Sequence, residues 1–278
     1  IAAPGAGQIK ALVTIAGNPV ISAPDAARLD DALPMLECMI SVDNYLNETT
    51  RHAHVILPGL SPLEQPHFDD LIPMWAVGTA GNYSPPVFPR DDRPHEWEIL
   101  TRLGAYAAGM SGHDLDVGAI DDGFFAALSA MKGVDATVAS AQSPTRAPER
   151  LLDLQIRTGP FGDRYGEKPD GLTLQSFRDR PHGIDLGPLV PRLHEVLATP
   201  SGKIELAPSY ITADVVRLAA RLARADDGLL LVSRRHLRSN NSWFHNYEPL
   251  VRGRERCTLL VHPDDARPER EGLHLARF

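Results

Sequence analysis

Residues 11–16, ALVTIA, decide the fold because they are a short β-branched run closed by Gly17-Asn18-Pro19. β-Branched residues favour strands, and a glycine and a proline directly afterwards predict a tight turn. A second apolar run covers residues 38–42, CMISV, and a third covers residues 54–57, HVIL. Unbroken apolar runs are typical of parallel strands covered on both faces. The sequence therefore predicts three buried parallel strands.

The segments between these runs have the spacing of helices. Residues 25–36 place apolar side chains at helical intervals after Pro24, and Asn47 suits the N-cap of a short helix over residues 48–53. The resulting order, β-α-β-α-β, is half of a doubly wound sheet. The predicted fold class is therefore α/β, with a Rossmann-like doubly wound sheet in the first part of the chain.

Length, charge and cysteine content limit the class of protein. A chain of 278 residues that is 43% hydrophobic can bury a sizeable core, and its length suggests two domains. The formal net charge of -8 argues against nucleic-acid binding. No apolar stretch approaches the roughly 20 residues of a membrane helix, so we expect no membrane span. Because the chain begins with Ile1 and shows no secretory-type segment, we expect a piece of a longer polypeptide. We expect that polypeptide to be cytoplasmic, although the missing segment itself says little about location.

The two cysteines, Cys38 and Cys257, both lie in apolar runs. This position predicts buried thiols. Two cysteines build neither a disulfide framework nor a metal-binding knuckle, so the sequence offers no metal site of that kind.

Two amphipathic helices are predicted over residues 96–108 and 121–131, the second with Phe124, Phe125 and Leu128 inside. Residues 135–187 are rich in arginine, proline and glycine. We therefore expect little regular structure there, apart from a short helix over residues 151–156.

A domain boundary is predicted over residues 200–208, within the sequence TPSGKIELAP that begins at Thr199. A brief strand over residues 204–206 and a helix over residues 211–223 would follow. New strands are predicted from Gly228 and over residues 257–261, CTLLV. These strands would open a second, β-rich domain.

Ligands of doubly wound sheets bind beyond the carboxyl ends of the strands. That rule points to Gly17-Asn18-Pro19, to Asp43 and to the turn at residues 58–59. Gly17 would let the backbone approach a ligand closely, and Asp43 could accept hydrogen bonds from a ribose or a guanine edge. The usual glycine-rich nucleotide fingerprints are missing, and an ordinary strand-to-helix turn would explain Gly17-Asn18-Pro19 equally simply.

Residues 233–246, SRRHLRSNNSWFHN, follow the apolar run at residues 229–232 with almost continuous hydrogen-bonding side chains. Arginine forks suit phosphate oxygens, and asparagine amides both donate to and accept from a heterocycle. The stretch could therefore be the cationic wall of an anion site. The residues alone leave a solvated surface loop equally open.

Five segments, taken in order, resemble the molybdopterin-dependent oxidoreductases, the family of formate dehydrogenases, nitrate reductases and DMSO reductase. They are GNPV at residues 17–20, SVDNYLNETTRHAHVILP at 41–58, TPSGKIELAP at 199–208, RRHLRSNNSWFHN at 234–246 and HPDDA at 262–266. The resemblance implies three regions. Residues 1–200 would be the later part of the α/β domain, 201–227 a connection, and 228–278 the start of a dinucleotide-binding β-barrel of double-psi type.

The resemblance also implies a cofactor, the molybdenum bis-molybdopterin guanine dinucleotide (bis-MGD), and residues that would bind it. The nucleotide end would contact Gly17, Asn18, Pro19 and Asp43, with Glu48, Thr49 and Thr50 lining the turn beside it. The pterin and pyrophosphate would contact Arg234, His236, Arg238, Ser239 and Asn240, with His245 and Asn246 close by.

In this family the molybdenum ligand and the cysteines of a 4Fe-4S cluster lie upstream of the segments that resemble this chain. We therefore name no catalytic residue and no metal ligand, and expect a fragment that is inactive alone. Its partners would be the remaining parts of the same enzyme and an electron-transfer protein. Two alternatives remain: a non-catalytic scaffold or electron-transfer subunit that keeps the fold without molybdenum, and a module that recognises only a guanine nucleotide.

Overall fold

The computed structural model describes residues 1, 3, 5–69, 75–113, 115–143, 146–224, 228–234, 236–238, 240, 244, 247–254 and 258–265. Its first part contains a parallel sheet of β1 (Ala11–Ile15), β2 (Cys38–Val42) and β3 (Val55–Ile56), in the order β1-β2-β3. The three predicted strands are confirmed, and their parallel pairing brings their carboxyl ends to one edge of the sheet.

Short helices connect these strands. Between β1 and β2 lie α1 (Pro19–Ser22), α2 (Ala26–Ala32) and a 3₁₀ turn at Leu33–Met35. Between β2 and β3 the predicted helix is a single 3₁₀ turn at Thr50–His52. The N-cap of this turn is Thr49 and not Asn47 as predicted, but Asn47 Oδ1 still accepts hydrogen bonds from the backbone N–H groups of Thr49 and Thr50, both at 2.9 Å.

One face of this sheet is buried, and the other is exposed at most of its positions. Met39 points to that face and packs with Val20, Leu33 and Leu36, which the connection between β1 and β2 supplies. On the opposite face Val13 is 48% exposed. Burial on both faces was therefore a wrong prediction at Val13, although Val42, on the same face of the central strand, is 2% exposed.

The open face of the sheet, which we define by Val13, Ile15, Cys38 and Val55, is exposed at all four positions. The predicted burial of Cys38 is wrong for the same reason: its neighbour in register is the exposed Ala11. Cys257 lies outside the described residues.

Two small antiparallel sheets follow. One pairs β4 (His67–Phe68) with β6 (Tyr83–Ser84), and the other pairs β5 (Gly78–Gly81) with β7 (Ile184–Pro188). The ring of Phe68 meets Phe177 edge to face at 5.2 Å between centroids.

The helical part of the chain contains α3 (Glu96–Ala107), α4 (Val117–Met131), α5 (Ala136–Gln142), α6 (Pro148–Thr158) and α7 (Leu174–Arg178). The first two were predicted. Residues 135–187 are more regular than expected, and the physical reason is that α6 buries charged residues instead of a continuous apolar face.

A small core joins α4, α5 and α6. It consists of Phe125, Ala139 and Leu154, with Leu128 packed against it. Phe124 is 59% exposed, so its predicted place in the core was wrong. Consecutive helical residues point about 100° apart, and only one of the two phenylalanines can face the core.

Beyond β7 the described chain forms α8 (Leu193–Val196), α9 (Ser209–Thr212), α10 (Val215–Leu222) and α11 (Glu248–Val251). The part of this region that the structure describes contains no strand, so those predicted at residues 204–206, 229–232 and 258–261 were wrong. A strand needs a partner for its backbone groups, and no other described segment pairs with these runs. The doubly wound sheet and the β-barrel stay predictions.

Candidate functional site

The candidate site lies where β1 and β2 end. Ile15 pairs with Val42, the last residue of each strand, and the Ala16 backbone N–H donates to the Val42 carbonyl at 2.9 Å. Gly17-Asn18-Pro19 therefore starts beside the loop that follows β2. The structure thus brings together the two sequence-predicted segments that contain Gly17, Asn18, Pro19, Asp43, Glu48, Thr49 and Thr50.

The buried side chain of Asn18 connects these segments. Its Nδ2 donates to Glu48 Oε2 at 2.8 Å, and its Oδ1 accepts from Thr49 Oγ1 at 2.7 Å. The same Thr49 oxygen accepts from the Val20 backbone N–H at 3.1 Å. One carboxamide therefore fixes both the loop after β2 and the position of an acidic side chain.

Thr49 and Thr50 are completely buried. The Thr50 hydroxyl donates to the Tyr45 carbonyl and accepts from the Asn47 backbone N–H, both at 2.8 Å. These hydroxyls stabilise the loop from inside. Thr49 and Thr50 lie in the turn beside Asp43, as predicted. Their contact with a cofactor stays a prediction.

Asp43 and Glu48 are the acidic side chains of the site. Asp43 is half-buried, and its carboxylate accepts from the Tyr45 backbone N–H at 2.9 Å and from Asn47 Nδ2 at 3.4 Å. Glu48 is exposed. A carboxylate has about four acceptor positions, so each can accept further hydrogen bonds from a ligand's N–H or O–H groups.

Gly17 leaves room at the mouth of this site. A Cβ atom built on it would meet only the Ile15 carbonyl oxygen, at 3.6 Å, which is ordinary contact. The chain itself thus does not require glycine here, and the space beside Gly17 would admit the close approach of another group. Pro19 is the first residue of α1, where its missing N–H costs nothing.

The second predicted segment follows the apolar run at residues 229–232. Arg234, His236, Arg238 and Asn240 are exposed, and the Arg238 backbone N–H donates to His236 Nδ1 at 3.1 Å. Ser239, His245 and Asn246 lie outside the described residues. Among the residues described, no hydrogen bond joins this segment to residues 17–50, so its predicted cofactor contacts stay a prediction.

Sequence reasoning missed a buried ionic network around α6. Arg150 pairs with Asp121 and, at 2.8 Å, with Asp122, both on α4. Arg157 pairs with Asp163 at 2.7 Å. The available signal was the spacing of charges along α6, because residues three and four apart share one helical face.

A second part of this network joins α6 to α7 and β6. Glu149 Oε1 accepts from the Tyr83 hydroxyl and from Arg178 Nη2, each at 2.6 Å. Burial, followed by the hydrogen bond to Glu149, raises the pKa of the Tyr83 hydroxyl. The phenol therefore stays protonated and donates to the carboxylate at neutral pH.

Among the described residues, no helix has both the length and the apolar character that crossing a bilayer requires.

Comparison with known proteins gives consistent matches. The chain is 31% identical over 122 residues to the assimilatory nitrate reductase catalytic subunit of Bacillus subtilis. This match covers 39% of this chain and 16% of that protein. It is 31% identical over 105 residues to the NADPH-Fe(3+) oxidoreductase subunit alpha of Geobacter sulfurreducens, 38% of this chain and 12% of the relative.

A third relative is the F420-dependent formate dehydrogenase 1 subunit alpha of Methanococcus maripaludis, 38% identical over 58 residues, 21% of this chain and 9% of the relative. The matched part thus spans at most 16% of each of these three proteins. The family model of the molybdopterin oxidoreductases matches residues 1–106, the region that includes the site around Asn18. Residues 1–106 of this chain therefore belong to the molybdopterin oxidoreductase family.

Proposed function

We propose that this chain is part of a molybdenum-dependent oxidoreductase and that residues 17–50 hold the guanosine end of one molybdopterin guanine dinucleotide. One observation carries the proposal: the Asn18 carboxamide holds the exposed Glu48 carboxylate at the carboxyl ends of β1 and β2. Ligands of parallel sheets bind at such an edge.

The chemistry of the site supports a guanine base. Guanine presents two neighbouring N–H donors, and a carboxylate accepts a pair of hydrogen bonds in that arrangement. Glu48 and Asp43 supply carboxylates, and Gly17 leaves space for close approach. Of the two carboxylates we assign base recognition to Glu48, because it is exposed and Asn18 restrains one of its oxygens.

When bound, the cofactor would supply two-electron redox chemistry at molybdenum. The residues described here would bind and orient it. Asn18 would hold Glu48 in place, and the buried Thr49 and Thr50 would keep the loop rigid. A preorganised loop binds more tightly because less conformational entropy is lost on binding.

The cationic segment with Arg234, His236, Arg238 and Asn240 is proposed to bind the pyrophosphate and pterin. Two arginines supply forked donors for phosphate oxygens, and an amide suits the edge of a pterin. The molybdenum ligand, the 4Fe-4S cluster, the substrate site and the contacts with an electron-transfer partner are proposed to come from other parts of the same enzyme. Without them we expect no turnover by residues 1–278.

Nucleotide binding tests this proposal directly on the 278-residue chain. Titration calorimetry with GMP and AMP should show saturable binding of GMP and weaker binding of AMP. Glu48→Gln should weaken GMP binding about tenfold, since a hydrogen bond to a charged group contributes roughly 1.5–3 kcal/mol. Glu37→Gln is the matched control, because Glu37 is an exposed glutamate that precedes β2, at the opposite edge of the sheet. Equal affinity for GMP and AMP, or an unchanged Glu48→Gln, would overturn the assignment.

The whole enzyme requires a second measurement. Protein produced in cells that make molybdopterin should contain molybdenum, and denaturation in air should release a fluorescent pterin. If a longer protein that includes this chain folds but contains neither, the non-catalytic scaffold becomes the better explanation. GMP binding without molybdenum would favour the module that recognises only a guanine nucleotide.

A further inference from the structure

Helix α10 presents an apolar stripe to solvent. Val215, Leu218 and Leu222 lie at positions i, i+3 and i+7, which share one side of a helix. Each of these side chains is more than half exposed, and no residue of α10 is buried. Arg217 and Ala220 lie on the opposite side, since consecutive helical residues point about 100° apart. The helix therefore has the amphipathic pattern of an element that packs against an apolar surface.

The open face of the sheet is an apolar surface of the kind that such a helix covers. Parallel sheets are normally covered by helices on both faces. Here Val20 and Leu33, from the connection between β1 and β2, pack with Met39 on the opposite face. On the open face Val42, at the carboxyl end of β2, is buried, whereas Val13 is 48% exposed. Most of this face thus lacks the helix that a parallel sheet normally receives.

The stripe and the open face match in size. Helix α10 has eight residues and is about 12 Å long. Strands β1 and β2 have five residues each and are about 16 Å long. A helix is about 10 Å wide, which is roughly the width of two strands that lie about 4.8 Å apart. One α10 helix can therefore cover most of β1 and β2.

The charges around the stripe favour an acidic protein surface as its partner. Residues 209–224 contain three arginines and one acidic residue, Asp214, whereas the whole chain has a formal net charge of -8. The acidic excess thus lies outside this segment, and opposite charges attract the two surfaces. Anionic lipid would also attract arginines, but membrane binding grows with the buried apolar area, and a stripe of three side chains offers little.

From these observations we propose that α10 of one copy of this chain covers the open face of the sheet in a second copy. The same contact in the opposite direction closes a two-fold symmetric dimer. Both contacts are needed, because a single two-turn helix buries less than the roughly 1,200 Å² of a stable specific interface. The dimer uses neither Asn18 nor Glu48, so dimer formation and GMP binding can fail separately.

Sedimentation equilibrium of the 278-residue chain tests this dimer. A reversible equilibrium between monomer and dimer is expected. Leu218→Gln should weaken it roughly tenfold, because a polar side chain replaces the centre of the stripe. Ala220→Gln is the matched control on the opposite side of α10 and should leave the equilibrium unchanged. Since both positions are exposed, the urea midpoint of dilute protein should be the same for both variants and the unaltered chain.

Cysteine crosslinking identifies the two surfaces in contact. The exposed Cys38 supplies one thiol on the open face, and Val215→Cys, Leu218→Cys or Leu222→Cys supplies the other, with Cys257→Ser in every variant. Under mild oxidation at least one of the three should form a disulfide between two chains, from Cys38 to the introduced thiol. Mass spectrometry of the linked peptides identifies it. Ala220→Cys is the control and should not link to Cys38.

Three outcomes would contradict a second copy as the partner of α10. The first is a chain that stays monomeric at every concentration, or a dimer that Leu218→Gln leaves unchanged. The second is a disulfide within one chain, because α10 would then cover its own sheet. The third is binding to phosphatidylglycerol vesicles that Leu218→Gln abolishes, without dimer formation, which would assign the stripe to a membrane surface.

Discussion

Asn18 and Thr49, which are 31 residues apart, share a buried hydrogen bond of 2.7 Å that ties the turn after β1 to the loop after β2. The same carboxamide holds Glu48. Two strand ends and one acidic side chain thus depend on a single residue. This arrangement makes Asn18 a positioning residue whose loss should affect both stability and ligand binding.

Asn18→Ala should lower the free energy of unfolding by about 1–3 kcal/mol, since the buried Thr49 hydroxyl loses its acceptor. It should also weaken GMP binding, because Glu48 is no longer restrained. Urea denaturation and titration calorimetry measure the two effects. Asn44→Ala, on an exposed side chain of the adjoining loop, should change neither. A stable Asn18→Ala variant with full affinity would contradict the positioning role.

The buried pair of Arg150 and Asp121 should be strongly coupled. Arg150→Met leaves the Asp121 carboxylate buried without its cation and removes the guanidinium from above the Phe125 ring, so it should cost about 3–5 kcal/mol. Adding Asp121→Asn should recover part of that loss. For comparison, Arg192→Ala in an exposed pair should cost no more than about 1 kcal/mol. A double-mutant cycle from urea denaturation measures the coupling, and strictly additive losses would refute it.

Acid stability should depend on Asp163. Burial alone would raise the pKa of this carboxyl, but hydrogen bonds from Arg157 and from the Tyr165 backbone outweigh burial and hold the pKa below its ordinary range. The folded state therefore binds fewer protons than the unfolded state. The resulting stability is present above about pH 4 and is lost as the pH falls through the folded pKa.

Asp163→Asn should accordingly lower stability at pH 7 and flatten the fall in stability below about pH 4. Urea denaturation over that pH range measures the profile. Asp92→Asn, at an exposed position, serves as the control. The idea fails if Asp163→Asn keeps the steep acid profile of the unaltered chain.

Two glycines should respond to alanine in opposite ways. A Cβ on Gly81 would lie 2.6 Å from Cε1 of the buried Phe177, so Gly81→Ala should destabilise the chain by about 1–3 kcal/mol. A Cβ on Gly104, inside α3, would meet nothing within 4 Å. Gly104→Ala should stabilise the chain by roughly 0.5–1 kcal/mol, because alanine favours a helix more than glycine does. Thermal denaturation compares the two, and a destabilising Gly104→Ala would be inconsistent with the helix.

The open face of the sheet can be checked with one substitution at two valines. Val42→Thr buries a hydroxyl at a position that is 2% exposed and should cost about 1–3 kcal/mol. Val13→Thr, in the adjacent strand, should change the free energy of unfolding by no more than about 0.5 kcal/mol, because the side chain of Val13 already meets water. Val42 and Val13 lie on the same face of the sheet, so equal costs in urea denaturation would indicate that Val13 is covered as fully as Val42.

Part of this fold was predictable from local sequence. The three apolar runs of the sheet and the hydrogen bonds that Asn47 accepts at the start of the following turn reflect strand propensity and capping chemistry, which act over a few residues. What covers each face of a strand depends on distant segments, and for that reason the exposure of Val13 and Cys38 was missed. The strand predicted at residues 229–232 failed on the same ground, since an apolar run alone supplies no pairing partner.

The length of helix α6 was underestimated for a different reason. Its buried side includes Arg150 and Arg157, which become suitable for burial only when acidic partners from elsewhere in the chain reach them. Hydrophobic periodicity does not register such a surface. At the candidate site, the sequence indicated the two strand ends, whereas the role of Asn18 in joining them required three-dimensional contacts.

The open face of the sheet has a consequence for handling the chain. Val13 of β1 and Val55 of β3 form an apolar row through Ile40 of β2, with Ile15 on the same face, and the side chains of Val13, Ile15 and Val55 are each about half exposed. Such a row lowers colloidal solubility, and short edge strands at both sides offer backbone groups for pairing between molecules. Light scattering should therefore rise steeply with concentration. Dilute preparations, or co-expression with a segment that shields this row, should keep the chain monodisperse.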